Sequence, residues 1–271
     1  FATEKIPFYV LQGQVYPGAP DEKETNSLAE TSQGFILNKT NINVKIPPGG
    51  RQYQVVQLMN VSRKPIEVVA KVMKWDQNIN GDIIFPEQSK HRRELTNDIE
   101  ITPQKFTIPF KMKKNVKLLF QLPKDAKGEY FGAIVFQKVG TTLTNDAPLL
   151  LTQSVLTTVT ARKTGVANGE VADFIIKEIR NKGFQVIVTV KNIGNITNYP
   201  EGRINIFDAD NNKIDETLVF GKDSFVVPEN VVKYEIEWGR ILPPGKYRAE
   251  LAYIFDQTQK SVQKIKTFWV K

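Results

Sequence analysis

The chain contains no cysteine and a single histidine, His91. The first absence excludes disulfides, thiolate nucleophiles and zinc sites built on sulfur. The second excludes a multi-histidine metal centre and leaves one residue on which a Ser-His-Asp triad would have to be built. His91 sits in Lys90-His91-Arg92-Arg93, where no neighbour is marked out as a catalytic partner. No apolar run approaches the roughly 18 residues of a spanning helix. No amphipathic segment exceeds about two turns on the 3.6-residue test. Carboxylates are present, but no spacing selects the facing pair that a glycosidase needs. These gaps remove most enzyme classes. No catalytic residue, metal or cofactor is expected, which leaves a binding, structural or assembly protein.

What is present reads as strands. The 271 residues are 41% hydrophobic and 24% charged, a globular composition, and the length corresponds to about two domains. Gln52–Leu58, Ile66–Trp75, Val116–Leu122, Gly128–Phe136 and Val155–Thr160 are rich in β-branched and aromatic residues with partial period-2 alternation. Asn80-Gly81 marks a hairpin before Ile83-Ile84-Phe85. Lys163-Thr164-Gly165-Val166-Ala167-Asn168-Gly169-Glu170 is small and turn-forming, and marks a boundary. Strands resume at Phe174–Ile176, Phe184–Val190, Arg203–Phe207, Val231–Trp238, Tyr247–Tyr253 and Ser261–Val270. About seven strands in roughly 100 residues is the pattern of an immunoglobulin-like sandwich. The expected fold is all-β: two tandem immunoglobulin-like β-sandwich domains, residues 35–165 and 166–271, behind an extended N-terminal arm and polar connection over 1–34.

The halves share phrases. Leu122-Pro123 leads through Gly128 to Tyr130, and Leu242-Pro243 leads through Gly245 to Tyr247. Met59-Asn60-Val61-Ser62 and Lys191-Asn192-Ile193-Gly194 each follow a Val-rich strand, which points to related sandwiches in tandem. In the first domain Ile46-Pro47-Pro48-Gly49-Gly50, Asn60, Ile101-Thr102-Pro103, Phe106-Thr107-Ile108-Pro109 and Leu122–Phe136 follow in order. That order resembles the N-terminal domain of the Gram-positive WxL-interacting surface proteins, and is similar to that of periplasmic pilus chaperones. In the second domain Val190–Asn195, Val227-Pro228-Glu229-Asn230, Trp238 and Pro243–Tyr247 resemble the second WxL-interacting domain. The resemblance implies a non-catalytic cell-surface interaction protein, with its first domain associated with peptidoglycan and its second with host or partner proteins. The chaperone likeness implies a pilus or filament assembly protein instead, although Arg162 and Lys163 do not match the basic anchoring pair of that family. Phe1 in place of Met is what signal cleavage would leave, so export to the cell surface or periplasm is expected.

Charge is unequal along the chain. Residues 1–165 carry 22 Lys/Arg against 15 Asp/Glu, and residues 166–271 carry 15 against 14. Lys111, Lys113, Lys114 and Lys117 concentrate the excess and are candidate contacts for an acidic cell-wall polymer. The alternative is that they protect a sheet edge. No basic motif interleaved with aromatics appears, so nucleic acid is not an expected partner. In the arm, Ile6, Phe8 and Val10 alternate with Pro7, Tyr9 and Leu11. They either belong to their own sheet or add to a neighbouring copy by strand exchange, a route to self-association. Asp208–Asp215 has the look of a calcium loop, but Lys213 and Val219 stand where Gly and Glu are required, so a hairpin tip is expected. Trp75, Trp238 and Trp269 read as core or edge packing.

Overall fold

The computed structural model describes residues 34–86, 93–139, 152–179, 182–220, 224–255 and 262–271, together with the backbone of two short strands at 8–11 and 14–17. Among the described residues there is no helix. The chain packs as two compact units, Phe1–Asp76 with Ile83–Thr164, and Gln77–Asp82 with Gly165–Lys271.

Chain order in the first unit is β1 (Phe8–Leu11), β2 (Gln14–Pro17), β3 (Phe35–Leu37), β4 (Asn41–Ile46), β5 (Arg51–Asn60), β6 (Ile66–Met73), β7 (Asp76–Gln77), β8 (Ile83–Ile84), β9 (Ile99–Thr102), β10 (Lys105–Ile108), β11 (Lys113–Gln121), β12 (Glu129–Lys138) and β13 (Thr152–Ala161). One sheet runs β3-β5-β11-β9 and the facing sheet β10-β6-β12-β13-β4. Period-2 alternation explains the facing: in β4, Ile42, Val44 and Ile46 are buried while Asn43 and Lys45 are exposed. Phe35, Leu58, Leu118, Phe120, Ile134 and Phe136 fill the space between the sheets. The chain changes sheet twice. It leaves β5's side after Leu37 and joins β13 in parallel at Asn41. It leaves β11 after Thr102, crosses a cis Thr102-Pro103 bond, and joins β6 at Lys105.

The second unit contains β14 (Gly169–Ile179), β15 (Gly183–Asn192), β16 (Glu201–Phe207), β17 (Lys213–Leu218), β18 (Val231–Trp238), β19 (Gly245–Ile254) and β20 (Val262–Val270). Its sheets are β14-β15-β18 and β17-β16-β19-β20. Val186, Val188, Ile204, Ala249, Leu251 and Phe255 lie in its core. The Tyr247 hydroxyl donates to the Pro243 carbonyl at 2.9 Å, the tyrosine corner of immunoglobulin-like sandwiches.

The repeat seen in the shared phrases has a geometric basis. Asn60 closes β5 fully buried, and its amide donates to the Lys64 and Ile108 carbonyls at 2.9 and 2.8 Å. Its Oδ1 accepts from the Ser62 N–H at 2.8 Å. Asn192 closes β15 in the same way: its amide donates to Ile196 and Val226 at 2.9 and 2.7 Å, and its Oδ1 accepts from Gly194 N–H at 2.9 Å. The turns that cross them match as well. Lys111 and Glu229 both take positive φ, 57° and 68°, one residue before Met112 and Asn230, whose carbonyls accept from the Asn60 and Asn192 N–H groups.

Asn80-Gly81 forms its hairpin between β7 and β8, with Gly81 at φ 89°. The segment Gln77–Asp82 packs with the second unit. Gln77, buried, donates from Nε2 to the Phe225 carbonyl at 2.8 Å and accepts at Oε1 from the Val227 N–H at 3.2 Å. Asn230 Nδ2 donates to the Gln77 carbonyl at 2.9 Å, and Lys233 N–H to the Ile79 carbonyl at 2.7 Å. The segment thereby satisfies the Lys233 N–H on the outer edge of β18 and the Phe225 and Val227 backbone groups that lead into that strand.

Candidate functional site: open sheet edges

A sandwich presents its backbone at the terminal strands of each sheet, and any unpaired stretch there accepts an extended peptide. A strand that runs past the end of its neighbour leaves such a stretch too, and one stands out in the first unit.

In the first unit, β13 pairs with β12 from Thr152 onward, but β4 joins its other side only from Leu156, opposite Asn41. Thr152–Val155 therefore extend past the end of β4. Gln153 Nε2 donates to the Phe35 carbonyl at 2.7 Å, which holds this end of β13 near β3. β1 comes near β13 and pairs with β2, Phe8 opposite Pro17 and Val10 opposite Val15. Phe8 and Val10 thus lie in a hairpin of their own chain; Ile6 lies outside the described residues.

The four candidate lysines do not form one patch. Lys113 and Lys117 lie opposite Met59 and Val55 on the outer face of β11, about 13 Å apart along the strand. Tyr53, 69% exposed, is on that same face. Lys114 lies opposite buried Leu58 and so points to the other face. Lys111 is in the turn before β11, its Nζ 5.1 Å from the centre of the Phe110 ring. Lys90, His91 and Arg92 lie outside the described residues.

In the second unit β20 ends its sheet and is bonded to β19 alone. Trp269 on it is 67% exposed, which corrects the expectation that all three tryptophans pack. Trp75 and Trp238 are buried; Trp269 lies opposite Lys246 on the outer face of a strand bonded on one side to β19, with β14 of the facing sheet close by. Alternation marks a strand but not whether it is central or terminal, so this exposure was not legible in advance.

The acidic turn is the expected hairpin tip. Asp208 Oδ1 accepts the Asp210 and Asn212 N–H groups at 2.9 and 2.8 Å, and Asn211 takes φ 64°. The Asn212 side-chain hydrogen bond is the largest cause that holds the Asp208 carboxyl below the usual range. No cluster of three metal-binding side chains occurs among the described residues. Further along β17, burial pushes the Asp215 carboxyl up, but bonds from the Trp238 indole, the Glu216 N–H and Arg240 outweigh it and leave it below the usual range.

No family model matches the chain, and no curated protein does. Solved structures similar to it include one described as a chaperone–tip adhesin complex of CFA/I fimbriae biogenesis, 13% identical over 86% of this chain and 98% of that one, TM-score 0.48. The class 5 fimbriae chaperone CfaA is 15% identical over 86% and 98%, TM-score 0.45. The CsuC–CsuE chaperone–tip adhesion subunit pre-assembly complex of Acinetobacter baumannii gives 13% over 84% and 97%, TM-score 0.41. The pilus-chaperone resemblance noted in the sequence reappears here as a likeness of fold.

Proposed function

We propose that the chain is a non-catalytic, exported assembly protein that takes up an extended segment of a protein partner by strand addition to its first sandwich, at the cell surface or in the periplasm. One observation carries this reading: the side of Thr152–Val155 that β4 leaves unpaired, where β13 continues past the end of that strand. Backbone there has room for a ladder, and buried Val155 anchors it to the core. Ile6, Phe8 and Val10 are then the apolar side chains of a segment that covers this edge, in its own chain or in a neighbouring copy. This supports the filament-assembly reading over adhesion. The adhesion reading keeps one supporting feature, Lys113 and Lys117 on the same outer face as exposed Tyr53.

The test is a chain without residues 1–17, offered a synthetic peptide of residues 5–17. Uptake of the peptide with slowed amide exchange at Thr152–Val155 is the expected result, and a Phe8→Asp peptide should fail, because a buried carboxylate costs several kcal/mol. Light scattering on the intact chain separates exchange between copies, which raises mass with concentration, from coverage within one chain. If neither peptide slows exchange at these four residues, the reading is wrong.

A further inference from the structure

We propose that the paired turns at 61–65 and 109–112 of the first unit dock on an anionic lipid surface, Phe110 and Met112 entering the headgroup layer while the cations around them meet phosphates. The site shares no residue with 152–155 of β13 or with the N-terminal arm, so it stands apart from the function proposed above.

The two turns are bound together. Asn60 donates from its side-chain amide to the Lys64 carbonyl of one at 2.9 Å and to the Ile108 carbonyl ahead of the other at 2.8 Å. Its N–H donates to the Met112 carbonyl at 3.1 Å, and the Met112 N–H closes the second turn on the Pro109 carbonyl at 3.1 Å. The backbone of both turns is thus fixed before any ligand arrives, and docking costs little ordering.

On this frame sit exposed apolar side chains and unpaired cations. Phe110 is 45% and Met112 56% exposed. Residues 60–66 and 109–117 hold Arg63, Lys64, Lys111, Lys113, Lys114 and Lys117 and no carboxylate. None of the six has an ion-pair partner among the described residues. The first carboxylate beyond them on β6, Glu67, is paired with Lys105 at 2.8 Å. Lys113 and Lys114 leave the turn on opposite faces of β11, so they flank it on both sides.

The second unit shows that the turn itself needs none of this. Its matching turn, 227–230, crosses Asn192 as 109–112 crosses Asn60. There Val227 and Pro228 are buried, and Glu229 stands in the place of Lys111. Residues 193–197 and 227–230 contain no lysine or arginine.

A lipid surface is the occupant that uses both features. A hydrated polyanion would engage the cations and leave Phe110 and Met112 in water. An apolar protein groove would take those two side chains and strip water from the unpaired lysines, which is costly. A headgroup layer offers phosphates directly above apolar chains. Lys111 stands between the two apolar residues with its Nζ 5.1 Å from the centre of the Phe110 ring. A lysine stem of that length keeps its ammonium among phosphates while the ring lies at the acyl boundary.

The probes are vesicles of phosphatidylcholine alone and vesicles in which roughly a third of the lipid is phosphatidylglycerol. The intact chain should sediment with the anionic vesicles and not with the neutral ones. Its affinity should fall about tenfold between roughly 0.05 and 0.5 M salt, as screening shortens to a few ångströms. Arg63→Gln with Lys64→Gln should weaken binding about twentyfold, at roughly fivefold per cation near the surface. Phe110→Ser with Met112→Ser should weaken it about tenfold or more through lost apolar transfer. All four side chains are exposed, so circular dichroism should not change. Phe110→Trp reports depth: brominated acyl chains should quench its emission relative to the wild type. No binding to anionic vesicles, or equal binding to both kinds, overturns the proposal. So does binding that the double serine variant keeps in full, or Phe110→Trp emission that brominated chains leave unquenched, since the cations alone then act as a polyanion site.

Discussion

Asn60 and Asn192 hold the same post in each unit, buried at the end of a core strand and bonded to carbonyls from two other stretches of chain. Buried carbonyls with no partner are costly, and each asparagine amide satisfies two of them. Asn60→Ala should lower stability by about 3 kcal/mol, from stranded groups at roughly 1–3 kcal/mol each. Asn60→Asp should cost more at neutral pH. A carboxylate keeps the bond from Ser62 N–H but faces the Lys64 and Ile108 carbonyls with no hydrogen to give. Its folded pKa would therefore rise above the unfolded value of about 3.9. The penalty is full above that raised value and is relieved as pH falls through it, when the protonated acid donates one bond. Denaturant melts of both variants at neutral and mildly acidic pH, with amide exchange to localise the effect to the first unit, check this. Wild-type stability of Asn60→Asp at neutral pH would show the amide donors to be dispensable.

Strands with dense β-branched and aromatic content, such as β5, β6, β12 and β15, were legible because their apolar residues serve one sheet along their whole length. β9 and β10 show in the sequence only as short phrases, and β4 only by its last residue, Ile46. Each has four to six residues, and their role comes from the change of sheet at Leu37–Asn41 and Thr102–Lys105, a long-range property. The lysine cluster shows the same limit: four lysines close in sequence were read together, while pleating sends Lys113 and Lys117 to one face and Lys114 to the other. This gives a discriminating experiment. If the outer face of β11 binds an acidic polymer, Lys113→Gln with Lys117→Gln should weaken binding and flatten its salt dependence, and Lys114→Gln should do neither. Binding to purified cell-wall polymer across a salt series is the measurement. An equal effect of Lys114→Gln would point to diffuse charge in place of a face.

At the scale of the whole chain, the boundary near residue 165 is readable from small and turn-forming residues, but the packing of Gln77–Asp82 with the second unit is not. Asn80-Gly81 announces a turn, and a turn is found; which unit it serves depends on Gln77 meeting backbone almost 150 residues later. Local propensity carries no information about such a meeting. The consequence concerns where the chain can be cut. A fragment of residues 165–271 lacks the segment and leaves the Phe225 carbonyl, the Val227 and Lys233 N–H groups and the Asn230 amide without these partners. At a net of about 1 kcal/mol per hydrogen bond the loss is roughly 3–4 kcal/mol, which corresponds to about 15 °C or more in melting temperature for a domain of this size. The fragment should therefore melt well below the second unit in the intact chain, and a peptide of residues 75–84 added in trans should recover part of the difference. A Gln77→Ala peptide should recover less, because it cannot bond to Phe225 and Val227. Calorimetry of the fragment with each peptide decides it. A fragment as stable as the unit in the intact chain, and indifferent to both peptides, would mean that solvent satisfies the edge of β18 as well as the segment does.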